Sequence, residues 1–276
     1  MFCRTPKPDP SKEPIPNIVH YVLLGAGKAE MTYKTFLSIK ATLTRMKPDQ
    51  VKLHTYGLDE DNHWWRLLRH RVTLVEYDRF SLKGPHSRPV DDYGLAHQAD
   101  FLRLAILQRE GGIYLDADIY PFKPFNDLLN SPRDIVLGHE GGNRYGLCNA
   151  VIVARAKSRF LRIWIDSYSS FGWTWNYHSV RMPKLLQVQY PTFICPLSPT
   201  VFFWPTWAAV HGRYMHSEID QDEVLALRKN MSMYGGAMYE NQLTVHQAPS
   251  DISEEDILGR DTRFNVLMRD VVHAEI

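Results

Sequence analysis

The sequence predicts an α/β protein whose sheet is mostly parallel and has helices on both faces. Short runs of apolar and β-branched residues alternate along the chain with segments whose apolar residues recur at helical spacing. Parallel neighbours in a sheet need crossover connections, and this alternation supplies them. The 276 residues, 44% hydrophobic and 23% charged, can bury a sizeable core.

The first part of the chain contains three strands and two helices. The first strand is bounded by Gly25-Ala26-Gly27, and the first helix stops at Lys47-Pro48-Asp49. The predicted strands are 17–24, 51–56 and 72–77, and the predicted helices are 31–46 and 63–70.

The middle of the chain leads from a helix into an acidic strand end. A helix over 95–108 is ended by Gly111-Gly112, and a strand over 113–115 runs into Asp116-Ala117-Asp118. Ligands of open α/β sheets bind beyond the carboxyl ends of the strands, which is where this acidic pair falls. Further along we expect a turn over 127–130, strands over 135–138 and 149–154, and a helix over 158–170 with a serine N-cap.

No linker composition divides the chain, so we expect a single domain over 17–276 after a proline-rich extended segment over 1–16. No apolar run reaches the ~18 residues needed to span a bilayer, and the start lacks the apolar core of a signal peptide. We therefore expect no membrane span in this chain, while an anchor upstream stays open. Localisation also stays open: the Golgi lumen for a eukaryotic protein with such an anchor, otherwise the cytoplasm.

The balance of 32 Lys and Arg against 31 Asp and Glu gives no field that would recruit nucleic acid. The three cysteines, Cys3, Cys148 and Cys195, have no metal-binding spacing, and we expect all three to be free. A disulfide between Cys148 and Cys195 is the alternative.

Asp116 and Asp118 place two carboxylates near one point, and their repulsion is relieved by a divalent cation. Hard oxygen ligands suit Mn²⁺ or Mg²⁺, and a cation held by one or two carboxylates usually completes its shell from phosphates or water. The pattern therefore favours a substrate with a diphosphate. Two solvated turn carboxylates are the alternative interpretation.

Asp100 and Arg103 are three residues apart on the helix that precedes this strand, so they share one face. A surface ion pair would explain them equally well in an isolated helix. The whole run over 97–121 (HQADFLRLAILQREGGIYLDADIYP), however, closely resembles the donor-site segment of glycosyltransferase family 32. That family includes yeast mannosyltransferases and is related to α-1,4-galactosyltransferases and large clostridial glucosylating toxins. The segments IPNIVHYVLLG and LCNAVIV are also similar to it.

The resemblance implies a GT-A type fold: a mostly parallel Rossmann-like sheet flanked by helices, with an irregular, aromatic-rich C-terminal acceptor region. It further implies a retaining, metal-dependent glycosyltransferase that moves a hexose from a nucleotide-diphosphate sugar to a hydroxyl of a glycan, a glycolipid or another acceptor. A UDP-sugar is favoured as donor, and GDP-mannose is possible.

The resemblance also assigns roles at the centre of the site. Asp100 and Arg103 bind hydroxyls of the donor sugar, Asp116 contacts ribose and sugar and lies at the metal, and Asp118 binds the cation. Asn149 approaches the donor sugar.

Further roles fall on residues outside that centre. Tyr21, Val22 and Leu23 match the edge that holds the nucleotide base, although relatives often have a stacking tryptophan where this chain has Leu23. Tyr114 lines the nucleotide site, and His246 is a candidate third ligand of the cation. A buried strand aromatic and a surface histidine are the alternatives for these last two residues.

Two stretches dense in aromatic residues, 173–178 and 202–207, are candidates for the acceptor site or for ordinary core. Two other functions compete for the whole chain. One is an inactive carbohydrate-binding protein of the same fold. The other is a phosphohydrolase of the haloacid dehalogenase type, whose pattern has Thr or Val where this chain has Tyr120.

Overall fold

A computed structural model of the protein describes residues 13–172, 174–247 and 252–276 and has the α/β architecture that the sequence predicts. The strands are β1 Ile18–Val22, β2 Gln50–Thr55, β3 Thr73–Glu76, β4 Gly112–Leu115, β5 Tyr120–Pro121, β6 Ile135–Glu140, β7 Gly146–Ala154, β8 Ile194–Leu197 and β9 Thr244–Val245. The helices are α1 Tyr33–Ala41, α2 His63–Leu68, α3 Leu95–Glu110, α4 Asn126–Leu129, α5 Arg159–Ser167, α6 Met182–Gln189, α7 Pro199–Phe202, α8 Ala209–His216, α9 Gln221–Tyr234, α10 Glu254–Gly259 and α11 Arg263–His273.

Seven strands form the central sheet in the order β3-β2-β1-β4-β7-β6-β8, and β5 pairs with β9 in a separate ribbon. The pairs β1 with β2, β1 with β4, β2 with β3 and β6 with β8 are parallel, while β7 is antiparallel to both of its neighbours. The predicted turn over 127–130 is wrong in detail, because these residues fall largely in the single helical turn α4.

The sheet separates two hydrophobic cores, because successive strand side chains point to opposite faces. Val19, Tyr21 and Ile113 pack into the core that α1 and α11 cover. Tyr114 and Ile152 pack into the other core, with apolar residues of α3 and α5.

The turn between α3 and β4 depends on two glycines. Gly111 has φ +69° and Gly112 has φ +104°, a region that disfavours other residues. A Cβ on Gly112 would also lie 2.6 Å from the carbonyl oxygen of Ile18 in β1. The glycines therefore let β4 start beside β1 immediately after the helix.

Buried histidines connect the strands behind this turn. His20 Nε2 lies 3.0 Å from the Gly111 carbonyl oxygen and must donate to it, so its Nδ1 accepts from His54 Nε2, also at 3.0 Å. His54 Nδ1 accepts in turn from the Tyr77 hydroxyl at 2.9 Å. Burial lowers the pKa of His20 to about 4 and that of His54 to about 3, so both rings are neutral at pH 7. His20 is a satisfied core histidine.

The start of the described chain packs against the domain. Most of the proline-rich segment, residues 1–12, lies outside the described residues, but Ile15 is buried and its N–H donates to the Leu129 carbonyl.

Cys148 is free, whereas Cys195 is disulfide-bonded. The expectation of three free cysteines is therefore wrong, and the alternative disulfide between Cys148 and Cys195 does not form. Among the helices of the described ranges, none combines the length and apolar character that crossing a bilayer requires.

Candidate active site

Three strands bring the acidic pair to its neighbours. The parallel register pairs His20 of β1 with Tyr114 of β4, so both strands end at one edge of the sheet. On the other side of β4 the Asp116 N–H donates to the Ala150 carbonyl at 2.9 Å, which continues the antiparallel pairing with β7. Asn149 therefore lies beside the acidic pair although it is more than thirty residues away in sequence.

The small ribbon brings His246 to the same place. Tyr120 of β5 pairs with Val245 of β9 in antiparallel register, so the residue after β9 lies opposite the residues just before β5. His246 Nε2 is 3.2 Å from Asp118 Oδ1. The predicted metal ligand is thus beside the acidic pair.

The guanidinium of Arg103 joins the acidic strand end to α3. Its Nη1 donates to Asp116 Oδ1 at 2.8 Å and to the Asn149 carbonyl at 3.1 Å. Its Nη2 lies 3.2 Å from Asp100 Oδ1, and its Nε donates to the Ala99 carbonyl at 3.2 Å. Among the residues that the structure describes, these contacts occupy four of the five N–H donors of an arginine, which leaves one on Nη2 for a ligand.

Aromatic and amide groups complete this network. Tyr114 donates its hydroxyl proton to Asp116 Oδ1 at 2.7 Å, and its ring packs under the Arg103 guanidinium at 4.5 Å. Asn149 Nδ2 donates to Asp100 Oδ1 at 2.7 Å. We call Asp100, Arg103, Tyr114, Asp116 and Asn149 the arginine cluster.

Burial and ion pairing have opposite effects on the pKa values of the charged groups in this cluster. Burial disfavours the charge of Arg103, but Asp116, Tyr114 and Asp100 together outweigh it and raise the pKa of Arg103 above its usual value. Burial also raises the pKa of Asp116, and Arg103 offsets this only in part.

Asp118 and His246 are hydrogen-bonded to each other. Burial acts to raise the pKa of Asp118, but the hydrogen bond from His246 outweighs it and the pKa of Asp118 falls. Burial acts to lower the pKa of His246, but Asp118 outweighs it and the pKa of His246 rises. One ligand atom from each of Asp116, Asp118 and His246 lies within 4.8 Å of the other two, which is close enough for one cation to contact all three.

These groups line one cavity of about 460 Å³. Its lining includes six of the residues that the sequence singled out: Asp100, Arg103, Asp116, Asp118, Asn149 and His246. We call it the donor cavity, because the sequence resemblance assigns donor binding to these residues.

The residues expected to hold the nucleotide are placed differently. Tyr21 is fully buried on the α1 side, where its hydroxyl lies 2.6 Å from Thr42 Oγ1, so its side chain has no surface for a ligand. Val22 is buried at the strand end, on the same side as Tyr114. Leu23 follows β1, is partly exposed and bonds to the His54 carbonyl through its N–H. The three residues lie at the sheet edge that carries Asp116, but they do not line the donor cavity.

Three further side chains line the cavity, and sequence reasoning missed one of them, Glu140. Glu140 ends β6, Trp207 follows α7, and Trp175 precedes a π-helix over Tyr177–Arg181. The tryptophans belong to the aromatic stretches suggested as an acceptor site, of which Trp173 lies outside the described residues. For Glu140, a carboxylate ending an apolar strand was the available signal, the same signal that marked Asp116.

Comparisons with known proteins agree with this arrangement. Residues 76–134 match the family described as "Glycosyltransferase sugar-binding region containing DXD motif". The chain is 32% identical over 268 residues to Glucan organizing enzyme 1 of Cryptococcus neoformans var. grubii serotype A (strain H99), across 92% of this chain and 70% of that protein.

Solved structures share the fold at low sequence identity. The PaToxG glycosyltransferase aligns over 95% of this chain and 88% of its own, at 16% identity and a TM-score of 0.50. The apo form of the glycosyltransferase GlyE of Streptococcus pneumoniae TIGR4 aligns over 94% of this chain and 60% of its own, at 12% identity and a TM-score of 0.51.

The fold and the acidic site together define a GT-A type glycosyltransferase. The chain belongs to the family of glycosyltransferases that contain the DXD sugar-binding region. This membership excludes the haloacid dehalogenase alternative.

Proposed function

We propose that this glycosyltransferase moves a hexose from a nucleotide-diphosphate sugar, with a UDP-sugar favoured over GDP-mannose, to a hydroxyl of a glycan, a glycolipid or another acceptor with retention of configuration. One observation carries the proposal. Asp116, Asp118 and His246 lie close enough together to hold one cation, at a cavity that Arg103 also lines. Two carboxylates and an imidazole suit Mn²⁺, with Mg²⁺ as the alternative.

The residues present fit such a cation. Asp118 Oδ1 and His246 Nε2 are separated by 3.2 Å and share a proton whose place a cation can take. Binding through Nε2 requires the ring proton on Nδ1, which breaks the contact with Trp207 Nε1. That contact is long, at 3.4 Å, so its loss costs little. When bound, the cation supplies electrostatic stabilisation of the charge that develops on the leaving diphosphate.

The arginine cluster orients the sugar. The free N–H on Arg103 Nη2 and the carboxylate of Asp100 can bind hydroxyls of the donor hexose, which fixes the reacting carbon. The acceptor hydroxyl oxygen then bonds to the anomeric carbon on the face that the diphosphate leaves. The bond to the diphosphate breaks with its electron pair on the diphosphate oxygen, and the hydroxyl proton passes to that oxygen.

A donor screen tests the proposal. The protein is incubated with UDP-glucose, UDP-galactose, UDP-N-acetylglucosamine and GDP-mannose, with Mn²⁺ or with chelator, and sugar release is followed. We expect Mn²⁺-dependent hydrolysis of at least one UDP-sugar. An inactive carbohydrate-binding protein would hydrolyse none of them, with or without Mn²⁺.

We also propose that the nucleotide lies between the end of β1 and the acidic pair, with its base near Val22 and Leu23 and its diphosphate near Asp118. Crystals soaked with UDP and Mn²⁺ test this placement. Nucleotide density at any other edge of the sheet would rule it out.

A further inference from the structure

A second, smaller cavity adjoins the donor cavity. Its volume is about 180 Å³, and it shares Glu140, Trp207 and His246 with the larger one. Small-molecule pockets usually measure about 300–1,000 Å³, so this one has room for about one ring of a ligand. A ring bound there lies next to His246, on the side of the site away from α3.

Glu140 is the unusual charge in this region. Among residues 13–172, 174–247 and 252–276, its side-chain carboxylate has no hydrogen-bond or ion-pair partner. Asp100, Asp116 and Asp118 all have such partners. A partly buried carboxylate without a partner is costly, and a ligand that donates hydrogen bonds removes the cost.

Trp207 supplies a complementary apolar surface. Its side chain is 55% exposed, although it lines both cavities and packs edge-on against the His246 ring at a centroid distance of 5.2 Å. The flat indole ring offers a ligand a large contact area at low entropic cost.

Glu140 and Trp207 together determine which kind of ligand fits the smaller cavity. Carboxylates accept hydrogen bonds only, so Glu140 requires a ligand with donor groups. Asp116, Asp118 and Glu140 together disfavour an anionic ligand such as a second phosphate. A pyranose ring meets both demands, since it has hydroxyl donors at its rim and an apolar C–H face that can lie on an indole.

We propose that the smaller cavity, together with Trp207 and Glu140, is an acceptor subsite that takes a neutral hexopyranoside. Its sugar face lies on Trp207 and its hydroxyls donate to Glu140. This inference rests on the proposed function and narrows the acceptor from any hydroxyl compound to a carbohydrate.

Binding of simple glycosides tests the subsite without turnover. Methyl α-D-mannopyranoside, methyl α-D-glucopyranoside and methyl β-D-galactopyranoside are titrated into the protein with and without UDP and Mg²⁺, and saturation-transfer NMR follows both glycoside and nucleotide. At least one glycoside should bind in the presence of UDP. Glu140→Gln and Trp207→Ala should each raise its Kd about tenfold or more, as expected for central contacts.

Two control substitutions outside both cavities show whether the change in Kd is specific to Glu140 and Trp207. Glu218→Gln and Phe80→Ala alter a carboxylate and an aromatic ring that are strongly exposed and outside both cavities, and they should leave the Kd of the glycoside within about twofold. Glu140→Gln nearly keeps the shape of the side chain, so it remains informative if Trp207→Ala does not fold.

The outcomes separate the two proposals. Glycoside binding that is equal in wild type, Glu140→Gln and Trp207→Ala overturns the subsite, and so does UDP binding with no glycoside binding. Glycoside binding that depends on Glu140 without any UDP binding supports the subsite and instead contradicts the proposed nucleotide-sugar donor.

Discussion

The two walls of the donor cavity are built differently. On the α3 wall, the arginine cluster buries its charges and pairs them with one another, and the described residues leave one N–H of Arg103 for a ligand. The rest of the lining, which we call the exposed wall, includes Trp175 and Trp207, which are 70% and 55% exposed, and Glu140, which has no side-chain partner among the described residues. The first wall is preorganised, while the second is completed by what binds to it.

This difference matches the two tasks of a transferase. A reacting carbon must be held within a fraction of an ångström, which a network of short buried bonds achieves at low cost during the reaction. An acceptor must enter and leave, and exposed aromatic rings allow that. Substitutions on the α3 wall should therefore affect stability and activity together, and those on the exposed wall should mainly affect binding.

The largest expected effect comes from Arg103→Lys. Lysine lacks the planar fork whose two terminal nitrogens contact Asp100 and Asp116, so these two buried carboxylates lose part of their compensation. We expect about 2–4 kcal/mol of lost stability, below the ~3–5 kcal/mol for removal of a partner from a buried ion pair because lysine keeps the charge, and the loss of most transfer activity. Urea unfolding and a donor hydrolysis assay measure both.

Arg109→Lys is the control, since Arg109 is on the same helix with its side chain 55% exposed. Its cost should stay below about 1 kcal/mol. Equal effects of the two substitutions would contradict the contrast between buried and exposed charges.

Acid should reveal the buried histidine chain. Folded His20 has a pKa of about 4, against 6.5 for the unfolded chain, so below pH 6.5 the unfolded state binds more protons and stability falls until His20 protonates near pH 4. The shift in the pKa of His20 corresponds to at most about 3–4 kcal/mol of stability. Unfolding by urea at pH 7, 6 and 5 measures the loss.

A substitution of His54 shows whether the buried histidines, rather than other titrating groups, cause the loss of stability between pH 7 and pH 5. His54→Gln can accept from Tyr77 and donate to His20 but cannot take up a proton, so stability should fall less between pH 7 and pH 5. An identical pH dependence in this variant would show that other groups cause the loss.

Tyr114→Phe should have a moderate effect. It removes the hydroxyl that donates to the Asp116 carboxylate at 2.7 Å, and hydrogen bonds to charged groups contribute about 1.5–3 kcal/mol. Tyr120→Phe removes an equally buried hydroxyl with a 3.3 Å bond to a neutral carbonyl, and it should cost about 1 kcal/mol or less. Thermal unfolding of both variants gives the comparison, and a larger loss in Tyr120→Phe would refute the ranking.

The smallest stability effect should come from the exposed wall. Trp175→Ala removes a side chain that is 70% exposed, so stability should change by no more than about 0.5 kcal/mol. Trp164→Ala removes a fully buried indole in the core under α5 and should cost about 3–5 kcal/mol. A large loss in Trp175→Ala would mean that this wall is held as firmly as the other.

How far the sequence predicts each wall follows from how the wall is assembled. The α3 wall comes from helix α3, a two-glycine turn and strand β4 that follow one another, so Asp100, Arg103 and Asp116 could be related by local spacing alone. Asn149 could be assigned to the same wall because the segment LCNAVIV in β7 is similar to a segment of the family.

The exposed wall depends on strand pairing between residues that are distant in sequence. His246 reaches Asp118 only because the two-residue strand β9 pairs with β5, and strands so short leave no period in the sequence. The stretch over 171–207 contains α6 and β8, which its prolines and aromatic residues obscure. Glu140 and Trp207 meet through this part of the fold, so their proximity could not be predicted.

The central claim is that Asp118 binds a divalent cation together with a nucleoside diphosphate. Calorimetric titration of Mn²⁺ with UDP into wild type, Asp118→Asn and the exposed control Asp61→Asn tests it directly, beside transfer assays with and without chelator. Asp118→Asn should fold normally, bind Mn²⁺ and UDP roughly a hundredfold more weakly, since even residues behind a ligand affect metal affinity 10–100-fold, and lose transfer. Wild-type affinity and turnover in Asp118→Asn, or full activity in chelator, would contradict the account.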